Sequence, residues 1–416
     1  MKFGGSLLAS EEGVCRVADL LEDRPTGSQV VGVVSALRGV TDSILDLAMA
    51  SPFRGGGETD SIIDSLRSLH EEAVYGTSLG RMGRSKLLTG INGILGQTRR
   101  ALEGARAQGP VSPKTLDLVA SMGERIAALI VAAEMDARGF EAPCLTGGEA
   151  GIITNDAYGN ALPDLRATKK AAWEALTPRL DRGEIPIVTG FVGRSKLGET
   201  TTLGRGGSDY TATILANSLL AREALFWTDS DGIRTGDPGI VEGSQTVRNL
   251  SFNEASELAF FGAKRLHPRT IEPAKAGLIP IRIKNGFHPD SEGTLISAEN
   301  NTDGAVKAVA AKSHMTPLAA RASSLGYKET LGVETDSDAV LIGAVGDGIG
   351  TREEVAAAVF GALAGRGILA EPFPRSSRSS ISFVVKRNSA DQAVKAVHDL
   401  IVLPGLTEAT TQRVPR

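Results

Sequence analysis

TLGRGGSDYTA, residues 202–212, places three glycines and Ser208 at the head of a run with helical periodicity, residues 210–221. A glycine-rich segment that opens a helix turns backbone N–H groups and the positive end of the helix dipole toward one point, which suits an anion. Arg205 adds a guanidinium fork that matches a carboxylate, and Asp209 can either orient a lysine or cap the helix. Outward from this stretch the chain alternates. Short apolar, β-branched runs at 30–35, 185–191, 224–228 and 279–284 are bounded by Gly, Pro or charged residues and read as buried strands. Between them lie helical stretches at 11–22 behind a Ser10 N-cap, at 116–138 ending on Gly139, and at 167–176. This alternation predicts an α/β fold with a mostly parallel central sheet and helices on both faces. Residues 60–109 are polar with helical periodicity and no strand signal, and read as a helical insertion beside the site.

The polar connector SAENNTDG, residues 297–304, divides the chain into residues 1–298 and 305–416. In the second part, strands are expected at 339–345, 368–371 and 380–386, helices at 352–364 and 390–401, and a short closing strand near Glu408. That order is ferredoxin-like, an α+β unit. Small sheets of this kind pair across an edge or face, which predicts a dimer.

Composition narrows the class. With 416 residues the chain can hold two or three domains, and 49 glycines with 41% hydrophobic and 4% aromatic residues suit an α/β protein with many turns. The net charge of −4 comes from 45 basic and 49 acidic residues mixed along the chain, so no basic patch marks a nucleic-acid partner. Cys15 and Cys144 lack metal-ligand spacing and disulfide density, and two reduced thiols point to the cytoplasm. The most apolar run, 126–135, is about half the length of a membrane span, and the N-terminus enters a glycine turn at once, which argues against a signal peptide.

Three further clusters carry chemistry. KFGGS, residues 2–6, sets Lys2 beside Gly4, Gly5 and Ser6 at a strand-to-turn junction where backbone amides can approach a phosphate; a tight turn with a surface lysine would look the same. TDSDGIRTGDP, residues 228–238, follows a strand and gathers acids, hydroxyls and glycines, as a nucleotide loop or an Asx-rich turn would. FGAKRLHP, residues 261–268, offers Lys264 either to phosphates or to solvent, and His267 before Pro268 reads as structural.

With VVSALRGVTD at 33–42, MGER at 122–125 and IPIRIKNGFHPDSEGT at 279–294, these motifs stand in the order and approximate spacing of the aspartokinases, which the chain resembles over about residues 1–296. The resemblance implies an amino acid kinase fold followed by an ACT-type domain, and ATP-dependent phosphorylation of the aspartate side chain to 4-phospho-L-aspartate with Mg2+. It implies a catalytic group of Lys2, Asp209, Gly4, Gly5 and Ser6. Thr41, Glu124, Arg205 and Ser208 would hold the amino acid, Glu124 at its α-ammonium and Arg205 at its α-carboxylate. Thr228, Asp229, Asp231, Arg234 and Lys264 would meet the nucleotide, and no side-chain metal site is implied. A homodimer through the ACT domain would follow, either for dimerisation alone or with an amino-acid effector, lysine or threonine.

Three positions depart from the family pattern: Leu7 stands where a second hydroxyl is usual, and Arg234 and Gly239 replace a Tyr and an Arg that often contact ATP. The tail, with 367–386 at its centre, resembles the second ACT unit, whereas 306–334 resembles only the opening strands of the first. A paralogue acting on another amino acid, or a non-catalytic subunit of the same fold, fits these departures too. Joint retention of Lys2, Glu124, Arg205, Asp209 and Lys264 argues against the latter.

Overall fold

The strand Lys2–Phe3 is hydrogen-bonded in parallel to Gly32–Val34 on one side and Ala224–Thr228 on the other, with Lys2 opposite Val33 and Phe226. The structure, a computed structural model, describes residues 1–9, 12–50, 56–106, 109–263, 267–298, 305–312, 339–373 and 377–402. Contacts divide the chain into two units, Met1–Asp231 with Arg269–Glu292, and Gly232–Pro268 with Gly293–Arg416. Residues 232–268, which the sequence division groups with the catalytic part, therefore pack with the C-terminal unit.

In the first unit the strands run in the order Cys144–Leu145, Ile187–Thr189, Gly32–Val34, Lys2–Phe3, Ala224–Thr228, Ile281–Asn285, every pairing parallel. Parallel strands put all their carboxyl ends on one edge, so the loops after Phe3, Val34, Thr189 and Thr228 emerge side by side, the usual ligand edge of an open α/β sheet. A buried core of Phe3, Val14, Leu21, Val34, Ile126, Ile130 and Trp227 joins the sheet to the helices Gly13–Glu22 and Met122–Ala137. Leu7 is fully buried in this core, and a Cβ on Gly286 would lie 2.8 Å from its methyls, so the missing hydroxyl is replaced by packing.

The helix read at 11–22 begins at Gly13 with Glu12 in the N-cap position and no side-chain cap; Ser10, the expected cap, lies outside the described residues. The single helix read at 116–138 is two, Pro113–Ala120 and Met122–Ala137, parted at Ser121, whose Oγ donates to Leu118 O at 2.7 Å. A serine that bonds back to its own turn competes with the helix ladder, which the apolar periodicity did not register. The insertion is helical as read, Gly56–Tyr75 and Arg81–Arg106, tied by Arg67 to Asn92 and Arg99 to Asp60. Not marked by the sequence pattern was a small sheet of Ile153–Thr154, Val192–Ser195 and Thr200–Thr202, whose last strand leads into the glycine stretch.

In the second unit, strands order as Ala308–Lys312, Ala339–Val345, Ser380–Lys386, Glu371–Pro372, all antiparallel, with helices Glu353–Ala364 and Ala390–Val402. The ferredoxin-like order stands, but the edge beside Ala339–Val345 is taken by the preceding strand Ala308–Lys312; Glu408, read as a closing strand, lies outside the described residues. The strand read at 368–371 falls at Glu371–Pro372, where pairing with Val384 and Phe383 sets it. The helix Phe252–Phe260 starts on a Ser251–Glu254 capping box, and buried Glu254 also accepts from Lys307 Nζ and Asp347 N. Phe261 packs on Gly343, where a Cβ would sit 2.2 Å from the ring. Among the described residues no helix is long and apolar enough to cross a membrane.

Candidate active site

Lys2 and Asp209 meet across the carboxyl edge of the first unit's sheet, Nζ to Oδ1 2.6 Å, with side chains 11% and 21% exposed. At this separation the carboxylate holds the ammonium by a short charge-assisted contact. Gly4 donates to Trp227 O at 3.2 Å, and a Cβ on Gly4 would lie 3.6 Å from Lys2 Nζ and 3.8 Å from Ser6 Oγ. The glycine thus leaves open the space beside the lysine. Gly5 is required for packing: its Cβ would fall 2.3 Å from Ala36 O.

Asp209 is placed by the helix Gly207–Ser218, whose N-cap is Gly206 at φ 72° and whose first turn has no side-chain cap. Gly206 adopts the left-handed conformation that lets the chain turn straight into the helix. Gly190 lies under Ser208, where a Cβ would come 2.5 Å from Ser208 Cβ, and its N–H donates to Val34 O at 2.8 Å. Arg205, between Gly204 and Gly206, is exposed and makes no hydrogen bond or ion pair among the described residues.

Glu124 is 4% exposed, in the first turn of Met122–Ala137. Close approach of Gly123 to Ala36 and Val40, with a Cβ only 2.7 Å from Ala36 Cβ, brings the helix against 36–40. Burial pushes the Glu124 carboxyl up to about 7, opposed by backbone hydrogen bonds from its own amide and that of Ala36. Among the described residues its Oε2 has no hydrogen-bond partner. A buried carboxylate with one orphan oxygen costs free energy until a cation meets it. Thr41, half-buried, follows Val40 in the first turn of Val40–Ala50. Gly5, Ala36 and Glu124 form one chain of contacts, so KFGGS, 33–42 and MGER converge.

Thr228 ends its strand next to Trp227, and its Oγ1 donates to Ser230 O at 3.0 Å and accepts from Ser230 N at 3.2 Å, which closes the turn. Asp231 Oδ1 accepts from Asn285 Nδ2 at 2.8 Å, and Asp229 is exposed. The loop therefore stands beside Gly4. Arg234 belongs to the second unit, where its guanidinium bonds Ser244 O and, at 3.3 Å, Thr246 Oγ1. Lys264 lies outside the described residues. Among the described residues no three His, Cys, Asp or Glu side chains gather as a metal site.

Sequence reading missed the residues that hold these loops. Phe191 has φ 65°, costly for a side chain with a Cβ, and Gly207 packs against its ring. Its N–H donates to Thr211 Oγ1 at 3.1 Å, fixing the strand end to the glycine helix. Asn285 was read only as part of a motif. The pattern that could have signalled them is the Gly190-Phe191 pair at the end of an apolar run, where a strand must stop sharply.

An amino acid kinase family model matches residues 1–285, and an ACT domain model matches residues 342–400. These define the class: an α/β amino acid kinase fold with a C-terminal ACT domain. Aspartokinase 1, chloroplastic, of Arabidopsis thaliana is 36% identical over 321 residues, 76% of this chain and 55% of the relative. Lysine-sensitive aspartokinase 3 of Escherichia coli K12 is 33% identical over 317 residues, covering 76% and 68%. The solved E. coli aspartokinase III in complex with aspartate and ADP, R-state, is 25% identical at a TM-score of 0.81, covering 97% of this chain and 99% of that one. The chain spans about half the length of the plant relatives it matches. It belongs to the aspartokinase family.

Proposed function

We propose that the protein transfers the γ-phosphoryl group of ATP to the side-chain carboxylate of aspartate, giving 4-phospho-L-aspartate and ADP. The observation that carries this reading is the orphan oxygen of buried Glu124, a ready partner for an α-ammonium, on a contact chain through Ala36 to Gly5, in the same turn that follows Lys2. Its likeness to a structure holding aspartate and ADP supports the same substrates.

The substrate carboxylate, with an ordinary pKa near 3.9, is already an anion and needs no general base. What the site must supply is charge neutralisation as an oxygen–phosphorus bond forms and the bond from phosphorus to the ADP oxygen breaks. Lys2 takes the charge that gathers there, Asp209 holds Lys2, Gly4 leaves the space beside the ammonium open and Gly5 and Ser6 complete the turn, and the start of the helix Gly207–Ser218 lends its positive end. Glu124 takes the α-ammonium, Arg205 the α-carboxylate, and Thr41 and Ser208 line the acceptor. Thr228, Asp229 and Asp231 meet the nucleotide, with Lys264 at its phosphates. Mg2+ would supply further neutralisation at the nucleotide phosphates. Arg234, which also bonds Thr246 Oγ1 at 3.3 Å, follows the nucleotide loop and extends the nucleotide set.

Residues 305–416 serve dimerisation, and an amino-acid effector such as lysine or threonine acts there. E. coli aspartokinase III in complex with lysine and aspartate, T-state, matches at a TM-score of 0.78. The free thiols Cys15 and Cys144 suit the cytoplasm. The test of the activity is MgATP-dependent acyl phosphate trapped with hydroxylamine, aspartate beside glutamate. Hydroxamate from aspartate is expected; product from another acceptor alone, or none from folded protein, would overturn the assignment.

A further inference from the structure

Asp117 is a buried carboxylate that takes no part in the chemistry above. It is 1% exposed, in the helix Pro113–Ala120, and both of its oxygens are engaged. Oδ1 accepts from Gly159 N and Thr202 Oγ1, each at 2.8 Å, and Oδ2 accepts from Thr202 N at 2.8 Å. Burial raises its pKa, and these donors work against that rise.

The segments it grips are those that enter the glycine stretch. Thr202 ends the strand Thr200–Thr202 and lies three residues before Arg205. Gly159 belongs to a turn that covers Gly204, where a Cβ would fall 2.6 Å from Asn160 Oδ1, and Ala161 N donates to Thr202 O at 2.8 Å. On its own helix, the Asp117 carbonyl accepts from Ser121 N at 3.0 Å, the residue from which the Glu124 helix starts. One residue thus links the element bearing Glu124 to the strand that delivers Arg205, Ser208 and Asp209.

We propose that Asp117 is a positioning residue that sets the spacing between Glu124 and the Arg205–Asp209 stretch, and so governs recognition of the amino-acid substrate rather than of the nucleotide. The proposal rests on the assignment of Glu124 and Arg205 to that substrate. An amide cannot stand in for the carboxylate. Donors meet both oxygens, so either orientation of an asparagine turns its NH2 against a backbone N–H, at Gly159 or at Thr202.

Asp117→Asn is therefore expected to raise KM for aspartate about 30-fold while KM for ATP stays within about twofold, since charge-assisted bonds to one loop are lost and 228–231 is untouched. Thr202→Val, which keeps both backbone bonds and removes the hydroxyl, is expected to raise KM for aspartate about threefold and covers the case in which Asp117→Asn does not fold. Amide hydrogen exchange needs no turnover: 204–209 should exchange faster in either variant, most in Asp117→Asn, and 228–231 should not change. Equal rises in both KM values, or unchanged exchange at 204–209, would overturn the proposal. Wild-type protein inactive on aspartate would instead overturn the functional reading, and the exchange result would still decide what Asp117 holds.

Discussion

Glu124→Gln keeps the shape of a buried side chain and removes its charge, and the consequences can be worked from the site. The carboxyl's rise from 4.5 to about 7, at about 1.36 kcal/mol for each pH unit, makes ionised Glu124 unfavourable by about 3 kcal/mol in the folded, ligand-free protein. Between those values the folded state binds more protons than the unfolded one, so stability falls as pH rises through the window. From about pH 5 to about pH 8 wild type should lose about 2 to 3 kcal/mol that the variant does not lose. Ligand binding runs the other way. An α-ammonium needs the ionised form, which with a value of about 7 is about one-tenth populated at about pH 6, so aspartate should bind about tenfold more weakly there than at about pH 8. Glu124→Gln should bind aspartate about 100-fold more weakly at high pH, the effect of truncating one partner of a buried charge pair, and should lose the pH dependence. Urea denaturation and titration calorimetry of both proteins across this range give each quantity. Parallel stability curves would refute the uncompensated burial of Glu124, and aspartate affinity in wild type that ignores pH and survives the substitution would refute the placement of the ammonium there.

Three further outcomes follow from the same geometry. Arg205→Lys replaces a fork with a point charge and should raise KM for aspartate about tenfold with KM for ATP within about twofold, read by steady-state kinetics. Asp209→Asn removes the charge that holds Lys2 at 2.6 Å and should lower kcat about 100-fold with little change in KM for aspartate. Gly190→Ala would drive a Cβ to 2.5 Å from Ser208 Cβ, so thermal unfolding should report a loss of about 1 to 3 kcal/mol and kcat should fall with it.

The sequence carried the parallel sheet because its strands are short apolar runs between helical periods, and Ala224–Thr228, Ala339–Val345 and Ser380–Lys386 fall where the pattern placed them. Lys2, Gly4, Gly5, Ser208 and Asp209 could be read as candidate site residues because glycine at a strand-to-turn or turn-to-helix junction is a local signal. Asp117 could not, since it sits among ordinary helix residues and its partners Gly159 and Thr202 are 42 and 85 positions away. The break at Ser121 and the strand Thr200–Thr202 were hidden for a related reason: a serine back-bond interrupts an apolar period without altering it, and three threonines pair only because Val192–Ser195 lies alongside. The edge strand Ala308–Lys312 likewise owes its place to antiparallel pairing with Ala339–Val345, a choice among edges that no local pattern records.

Lys2 offers the most direct test, because the account assigns it the charge that develops in transfer and no part in building the core. ATP-dependent formation of aspartyl hydroxamate by wild type and by Lys2→Ala, with circular dichroism to show that both are folded, should differ by about 1,000-fold in kcat. Near-normal turnover in folded Lys2→Ala would contradict the assignment of phosphoryl transfer to this site.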